Sequence, residues 1–157
     1  MPELKYLKDK KIVFRDEPFV MDVIYSMEKG NASIQLYDIF PGVQLMVTDF
    51  QSDTCYQSGM EQDVISIEHC LKGRFECMFD NRNCVYMGPG DVAINNVLHC
   101  PIASSFPLNY YVGATIILYP QICKVSSELK AFGIDIEILT NKYFLNERCM
   151  LFRRKEE

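Results

Sequence analysis

Short apolar runs separated by turn residues dominate the middle of the chain. Residues 43–50 are rich in β-branched and aromatic side chains, and residues 64–71 alternate between two faces. Further strands are predicted at residues 74–79, 84–87, 92–95 and 110–119. Short strands at close spacing, with turns between them, are typical of a sandwich or barrel rather than of a parallel βαβ sheet. The pattern therefore predicts a mainly β fold.

Two turn signals divide these runs. Lys72-Gly73 predicts a hairpin between residues 64–71 and 74–79, because glycine adopts the positive φ of a tight turn. Residues 84–87 are expected to pair as a third strand. The sequence Gly88-Pro89-Gly90-Asp91 then predicts a reversal toward the next strand.

The two ends of the chain have different patterns. Residues 1–36 mix charges with short apolar bursts and are expected to form short strands or a wrapped arm. After Pro120, apolar positions at 125, 129 and 132 have helical spacing, and a second helix is expected from Asp135 to about Tyr143. We therefore divide the chain into a barrel with its arm at 1–119 and a short helical segment at 120–157, which packs on the barrel or lies at a dimer interface.

Composition narrows the choice of partner. The chain has 157 residues, of which 48% are hydrophobic and 24% charged, as in one folded domain. A net charge of −5 argues against a nucleic-acid surface, which needs clustered Lys and Arg. Seven cysteines without a CxxC pair suggest reduced thiols. No window resembles a signal peptide or a membrane span, so we expect a cytoplasmic protein without a membrane partner.

Four ordered segments resemble the N-terminal sensor domains of AraC-family transcription regulators. They are YDIFPGVQLMVTDF at 37–50, HCLKGRFEC at 69–77, YMGPGDVAINN at 86–96 and FPLNYYVGATIIL at 106–118. The turn Pro89-Gly90-Asp91 also resembles the second motif of the wider cupin superfamily. The resemblance implies a cupin-like double-stranded β-barrel, or jelly roll, followed by short C-terminal helices.

The same resemblance implies a function. It suggests a domain that binds a small effector, such as a sugar or another metabolite, and forms a homodimer. DNA would be contacted only through helix-turn-helix units, and none is expected before the sequence stops at Glu157. Two alternatives stay open: a stand-alone cupin isomerase or oxygenase, and a truncated regulator that acts through dimerisation alone.

The histidine content bears on the enzyme alternative. Metal-dependent cupins usually place two His and a Glu at their first motif and another His at the second, whereas this chain contains only His69 and His99. Glu68 and His69 are neighbours on a strand, so they face opposite sides and cannot both bind one ion without a bulge. We therefore expect no metal or other cofactor, no catalytic residue and no enzymatic activity.

The expected ligand-binding residues combine one carboxylate with polar and aromatic side chains; they are Glu68, His69, Tyr56, Arg74, Asn95 and Tyr111. A carboxylate on an inward face is costly to bury unless a hydroxyl-bearing or cationic group pairs with it. Alternatively, the face of Glu68 is solvated, or Arg74 pairs with Glu68 across the hairpin. Strand register decides between these possibilities.

The other candidates also have a structural alternative. His69 shares the more apolar face of its strand and is either hydrogen-bonded in the barrel wall or in contact with ligand. Tyr56 and Tyr111 offer aromatic walls with hydroxyl groups, but tyrosine is also ordinary core material. Asn95 is a ligand donor or a turn residue.

Overall fold

The computed structural model describes residues 16–17, 20–27, 30–54, 64–79, 84–96, 101–123, 127–131, 135, 138, 141 and 149–153. In chain order, its elements are β1 (Asp16–Glu17), β2 (Val20–Met27), β3 (Gly30–Phe40), β4 (Val43–Ser52), β5 (Ile65–Gly73), β6 (Phe75–Met78), β7 (Cys84–Met87), β8 (Val92–Asn96), β9 (Ala103–Ser105), β10 (Tyr111–Leu118), α1 (Ser127–Ala131) and β11 (Cys149–Phe152).

These strands form two antiparallel sheets. The larger sheet has the order β1-β2-β3-β4-β10-β5-β8-β11, and the smaller one has the order β7-β6-β9. Thr54 adds a bridge to Ser105 beside β9. The chain thus passes repeatedly between a β4-β10-β5-β8 sheet and a facing sheet of β7, β6, β9 and the Thr54 bridge, which is the strand order of a jelly roll. The predicted mainly β, cupin-like jelly-roll fold is confirmed.

The hairpin predicted at Lys72-Gly73 is wrong. Strand β5 pairs with β10 and β8, whereas β6 pairs with β7 and β9, so the two runs belong to different sheets. Gly73 has a φ of 84°, and a Cβ atom there would lie 2.3 Å from the carbonyl oxygen of Tyr110. Only glycine fits this close approach, and it forms a corner at which the strand changes sheets. The expected pairing of residues 84–87 with the preceding strand is confirmed, with Cys77 opposite Val85.

An aromatic cluster joins the two sheets. Its buried members are Ala32, Phe50, Cys70, Met87, Ala93, Phe106 and Tyr111. The ring of Phe106 stacks on Tyr111 at 4.9 Å between centroids and also lies 4.9 Å from Phe50. Because Met87 comes from the smaller sheet, the faces of β5, β8 and β10 that carry Cys70, Ala93 and Tyr111 point into the barrel.

The opposite face of the large sheet is also apolar at one end. Val43, Ile65 and Leu118 form a second buried cluster, and Cys123 packs against it. The turn after β10 holds this cysteine in place, because the backbone N–H groups of Ile122 and Cys123 both donate to the carbonyl oxygen of Tyr119. The chain therefore folds back over the outside of the barrel after β10.

Both ends of the chain contribute strands to the large sheet. Residues 20–27 and 30–40 are the long paired strands β2 and β3, and all of these positions up to residue 36 fall in the region expected to form short strands or an arm. Helix α1 lies in the region predicted to be helical, whereas residues 149–152 form strand β11 against β8. No helix among the described residues is long and apolar enough to cross a membrane.

Candidate functional site

Glu68 points into the barrel. It lies two residues before Cys70 on β5, and side chains two apart share one face of a strand. Across the sheet, Glu68 is directly opposite Thr115 on β10 and Ala93 on β8, and both of these residues are buried. One carboxylate therefore stands in a row of small buried side chains on the inner wall.

The carboxyl of Glu68 has two polar neighbours. The Ser66 hydroxyl donates to its Oε1 at 3.5 Å, and the Asn95 side chain also hydrogen-bonds to it. Although the residue as a whole is only partly buried, its carboxyl lies among protein atoms, and this burial raises its pKa. The hydrogen bonds from Ser66 and Asn95 oppose that rise by favouring the charged form. The site is therefore suited to a partner that compensates a desolvated carboxyl.

A second group of hydrogen-bonded side chains lies on the same wall, in register with Ser66. The Tyr119 hydroxyl donates to Gln44 Oε1 at 3.0 Å, and Gln44 Nε2 donates to Asp38 Oδ1 at 2.6 Å. Gln44 is opposite Ile117, which is in turn opposite Ser66. Burial, followed by the charge of Asp38, raises the pKa of Tyr119. Asp38 is exposed, so these hydrogen bonds connect the partly buried Tyr119 to the surface.

The interior thus has an aromatic end and a polar end, with Tyr111 between them. A Cβ atom on Gly113 would lie 2.7 Å from the Tyr111 hydroxyl oxygen, so the tyrosine ring extends along the wall over Gly113. The hydroxyl end of Tyr111 therefore lies on the side of the aromatic cluster that faces the polar end. Nearby, the Thr48 hydroxyl donates to the carbonyl oxygen of Gly113 at 3.4 Å.

The structure brings together some of the residues predicted for the site. Glu68 and Asn95 are hydrogen-bonded neighbours, and Tyr111 faces the same interior. His69 occupies the outer face of β5 with an exposed side chain. Tyr56 lies outside the described residues.

Arg74 directly follows the corner at Gly73 and precedes strand β6 of the smaller sheet. Its side chain has partners other than Glu68. Its Nε atom pairs with Glu76 Oε1 at 2.6 Å, and its guanidinium carbon lies 4.3 Å from the centre of the Tyr86 ring. The predicted alternative of an Arg74–Glu68 pair required a hairpin at Gly73. Because the chain changes sheets there, Arg74 pairs instead with Glu76 on the following strand, β6.

Sequence reasoning missed several polar residues of this wall: Ser66, Thr115, Gln44 and Tyr119. Ser66 has a signal in the sequence, since it is two residues from Glu68 and shares its face. Thr115 and Gln44 have none, because only the register between distant strands places them beside β5.

The described residues do not assemble a metal centre. Within those ranges, no three His, Cys, Asp or Glu side chains are close enough together to hold an ion. Glu68 and His69 face opposite sides of β5, as expected for neighbours on a strand. His99 lies outside the described residues.

Cys70 lies two residues from Glu68 on the inner face of β5, and its surroundings disfavour the thiolate. Burial, followed by the charge of Asp91, raises the pKa of this thiol to about 11. Its Sγ atom lies 3.8 Å from each of the carbonyl oxygens of Lys72 and Gly73. Since the thiolate is the reactive form, Cys70 is an apolar core side chain and not a nucleophile.

The sequence matches no known family and no curated protein. Among solved structures, it is similar to an HTH_3 family transcriptional regulator of Vibrio cholerae (19% identity, 57% of this chain and 51% of that chain, TM-score 0.46). It is also similar to a cupin-2 domain of Rhodospirillum rubrum (14% identity, 88% and 98%, TM-score 0.44). A third similar structure is a mutant of Bacillus subtilis oxalate decarboxylase (9% identity, 92% and 44%, TM-score 0.38).

The chain spans about half the length of the first of these proteins. The prediction that the chain is not an enzyme, which rested on its small number of histidines, is wrong: the similar structures include an enzyme, oxalate decarboxylase. The fold therefore leaves enzymatic status unsettled. The strand order and register by themselves identify this chain as a mainly β domain of the cupin-type jelly-roll fold.

Proposed function

We propose that this domain binds a small polar ligand at the polar end of its barrel, with Glu68 as the anchor. The observation that supports this is the inward carboxyl of Glu68, whose pKa is raised by burial while Ser66 and Asn95 hydrogen-bond to it. Two neutral donors only partly offset the cost of desolvating a carboxylate. A ligand that brings a further donor to this carboxyl offsets more of that cost.

The chemistry of the wall defines the ligand class. A carboxylate accepts hydrogen bonds through both oxygens, so it favours a protonated amine or a hydroxyl-bearing ligand and disfavours an anion. Glu68 lies opposite Thr115, which carries a hydroxyl group, on β10 and opposite Ala93 on β8. This combination of one charged group, hydroxyls and small apolar side chains suits a ligand with few carbon atoms.

The wider role that we propose is that of an effector sensor in a cytoplasmic AraC-type transcription regulator. This proposal is supported by the four sequence segments that resemble such domains, three of which contain residues of the inner wall. Segment 37–50 contains Gln44, segment 86–96 contains Asn95, and segment 106–118 contains Tyr111 and Thr115. The fourth segment, 69–77, begins directly after Glu68. For a sensor, the ligand must bind one state of the protein more tightly than another, because equal binding shifts no population.

The test uses three probes of similar size and different charge: propylammonium, 1,2-propanediol and propionate. Each is titrated into the full chain while backbone amide NMR shifts are followed. Propylammonium and propanediol are expected to shift the amides of residues 66–68 and 93–95, and propionate is not. Shifts elsewhere only, or equal binding of propionate, would contradict the proposal.

Two variants sharpen this test. Glu68→Gln removes the anchor charge while keeping the size of the side chain, so propylammonium binding should weaken by about tenfold or more, as expected for loss of a charge-assisted hydrogen bond. Glu76→Gln is the matched control, because Glu76 pairs with Arg74 away from the site. It should bind propylammonium as the parent chain does.

Native mass spectrometry of gently purified protein provides an independent test. The method reports the number of subunits and the mass of any retained molecule in one spectrum. We propose a dimer that carries an amine or a polyhydroxyl compound. A retained organic acid as the sole adduct would contradict the proposed ligand class.

A further inference from the structure

Strand β11 forms the edge of the sheet that carries the proposed ligand site. It pairs with β8, with Leu151 opposite Ala93 and Cys149 opposite Asn95. Ala93 is opposite Glu68, and Asn95 hydrogen-bonds to the Glu68 carboxyl. The four residues of β11 therefore support the strand that supplies one side of the site.

Leu151 connects β11 to the interior. It is partly buried against the cluster that contains Cys70, Met87 and Ala93. Phe152, the next residue, is 45% exposed on the other face. A four-residue strand at the edge of a sheet is paired with only one neighbour, and elements of this kind lie at the low end of the range of local stability in a fold.

Arg153 holds the end of this strand. Its Nη1 atom lies 3.1 Å from Asp91 Oδ2, and its Nη2 atom donates to the carbonyl oxygen of Tyr86 at 3.5 Å. The guanidinium carbon also lies 4.1 Å from the centre of the Tyr86 ring. The Asp91 side chain is only 10% exposed whereas that of Arg153 is 46% exposed, so solvent reaches this ion pair from the arginine side.

The turn that receives Arg153 is connected to β5. Asp91 Oδ2 accepts from the Gly88 backbone N–H at 2.9 Å, which fixes the turn. The Cys70 N–H donates to the Asp91 carbonyl at 3.0 Å, and the Gly90 N–H donates to the Cys70 carbonyl at 2.8 Å. Cys70 is two residues from Glu68 on β5. The turn that Arg153 contacts is therefore hydrogen-bonded to β5 near Glu68, and it also leads directly into β8.

We propose that β11 is a closing strand for the ligand site, held by Arg153, and that its docking and occupation of the site stabilise each other. This inference rests on the proposed function, because it assigns a regulatory element to the same site. Arg153 is a positioning residue: it does not touch the ligand, but it fixes the strand and the turn that place Asn95 and Glu68. Since coupling between two sites is reciprocal, a ligand at Glu68 holds β11 in place.

The test compares the full chain with Arg153→Gln and Arg74→Gln by hydrogen exchange. Arg74 is the matched control, because its guanidinium contacts the same Tyr86 ring but belongs to another part of the chain. In Arg153→Gln, the amides of residues 149–152 and 92–95 should exchange about tenfold faster, since a hydrogen bond to a charged group contributes enough free energy for one decade. Arg74→Gln should leave those segments unchanged.

A second readout needs no ligand. The pKa of Glu68, followed by carbon NMR of its carboxyl, should fall toward 4.5 in Arg153→Gln, because a loosened β8 admits water to the site. A purely structural role for Arg153 would leave this pKa unchanged. Unchanged exchange in β11, or faster exchange with an unchanged Glu68 pKa, would overturn the inference.

Propylammonium separates this inference from the proposed function. Its binding to the parent chain tests the proposed function alone. If it binds, slower exchange of residues 149–152 on binding and weaker binding to Arg153→Gln support the coupling, whereas equal binding to both chains overturns it. If it does not bind, the exchange and Glu68 measurements still decide whether β11 controls the site.

Discussion

Glu68 on β5 lies directly opposite Thr115 on β10, in the middle of the larger sheet and on its inner face. The strand that carries this carboxyl is thus paired on both sides, and Glu68 does not lie at a sheet edge. Because burial raises its pKa, the ionisation of Glu68 is linked to the stability of the folded state.

Glu68→Gln should change how stability depends on pH. Burial raises the folded-state pKa of Glu68 above its ordinary value of 4.5, so the folded chain holds this proton more tightly than the unfolded chain does. The favourable contribution of the protonated carboxyl is complete below 4.5 and is lost as pH rises through the folded pKa. Urea unfolding at a series of pH values should therefore show Glu68→Gln gaining stability over the parent chain as pH rises.

Glu76→Gln controls for the loss of one negative charge in that experiment. Its side chain is paired with Arg74 and partly exposed. It should not reproduce the pH-dependent gain of Glu68→Gln. Parallel curves for the parent chain and Glu68→Gln would show that the Glu68 carboxyl is as solvated in the folded chain as in the unfolded one.

Gly113→Ala should destabilise the fold by about 1–3 kcal/mol, the usual cost of overpacking a core. The added Cβ would lie 2.7 Å from the Tyr111 hydroxyl oxygen and 2.8 Å from a ring carbon, so the ring would have to leave its stack on Phe106. Gly88→Ala is the control, since the nearest atom to its Cβ is 4.0 Å away. Thermal unfolding measures both, and an equal loss in the two variants would contradict the close packing of Tyr111.

Phe106→Ala should cost about 3–5 kcal/mol in unfolding free energy, as is typical for removal of a core aromatic ring. Phe106 is 1% exposed, and its ring packs against Phe50, Phe75 and Tyr111. Leu108→Ala, two residues away and 52% exposed, should change stability by less than about 0.5 kcal/mol. Denaturant titration monitored by circular dichroism distinguishes the two, and similar losses would argue against the aromatic cluster as the centre of the core.

Cysteine alkylation should separate Cys84 from Cys70. Cys84 is exposed, whereas Cys70 is buried with a pKa of about 11, which leaves roughly one thiolate per thousand thiols at pH 8. Iodoacetamide followed by peptide mass mapping should label Cys84 first and Cys70 only after urea is added. Rapid labelling of Cys70 in the native chain would mean that the interior opens readily around β5.

Much of the strand pattern was predictable because runs of β-branched and aromatic residues between turn signals mark strands. Which face of a strand points inward was less predictable: in residues 64–71 the more apolar face carries the buried Ile65 and the exposed His69, whereas the opposite face, with Ser66 and Cys70, lines the interior. The corner at Gly73 was not predictable in the same way. A glycine with positive φ serves equally in a tight hairpin and in a sheet-changing bend, and only the distant carbonyl of Tyr110 distinguishes them here.

The candidate site was predictable only in part, for a similar reason. Glu68 stood out because a carboxylate within an apolar strand is unusual, and Asn95 because of the turn-strand motif that contains it. The neighbours Thr115 and Gln44 depend on which strands lie side by side. That arrangement is set by the whole core and leaves no local trace in either segment.

The division of the interior into an aromatic end and a polar end has a practical consequence for protein engineering. Phe75 of the smaller sheet packs on Tyr111 of the larger sheet and on Phe106, and this contact between the sheets does not involve Ser66, Glu68 or Asn95. Substitutions that alter the proposed site at the polar end can therefore leave untouched the residues that hold the scaffold together.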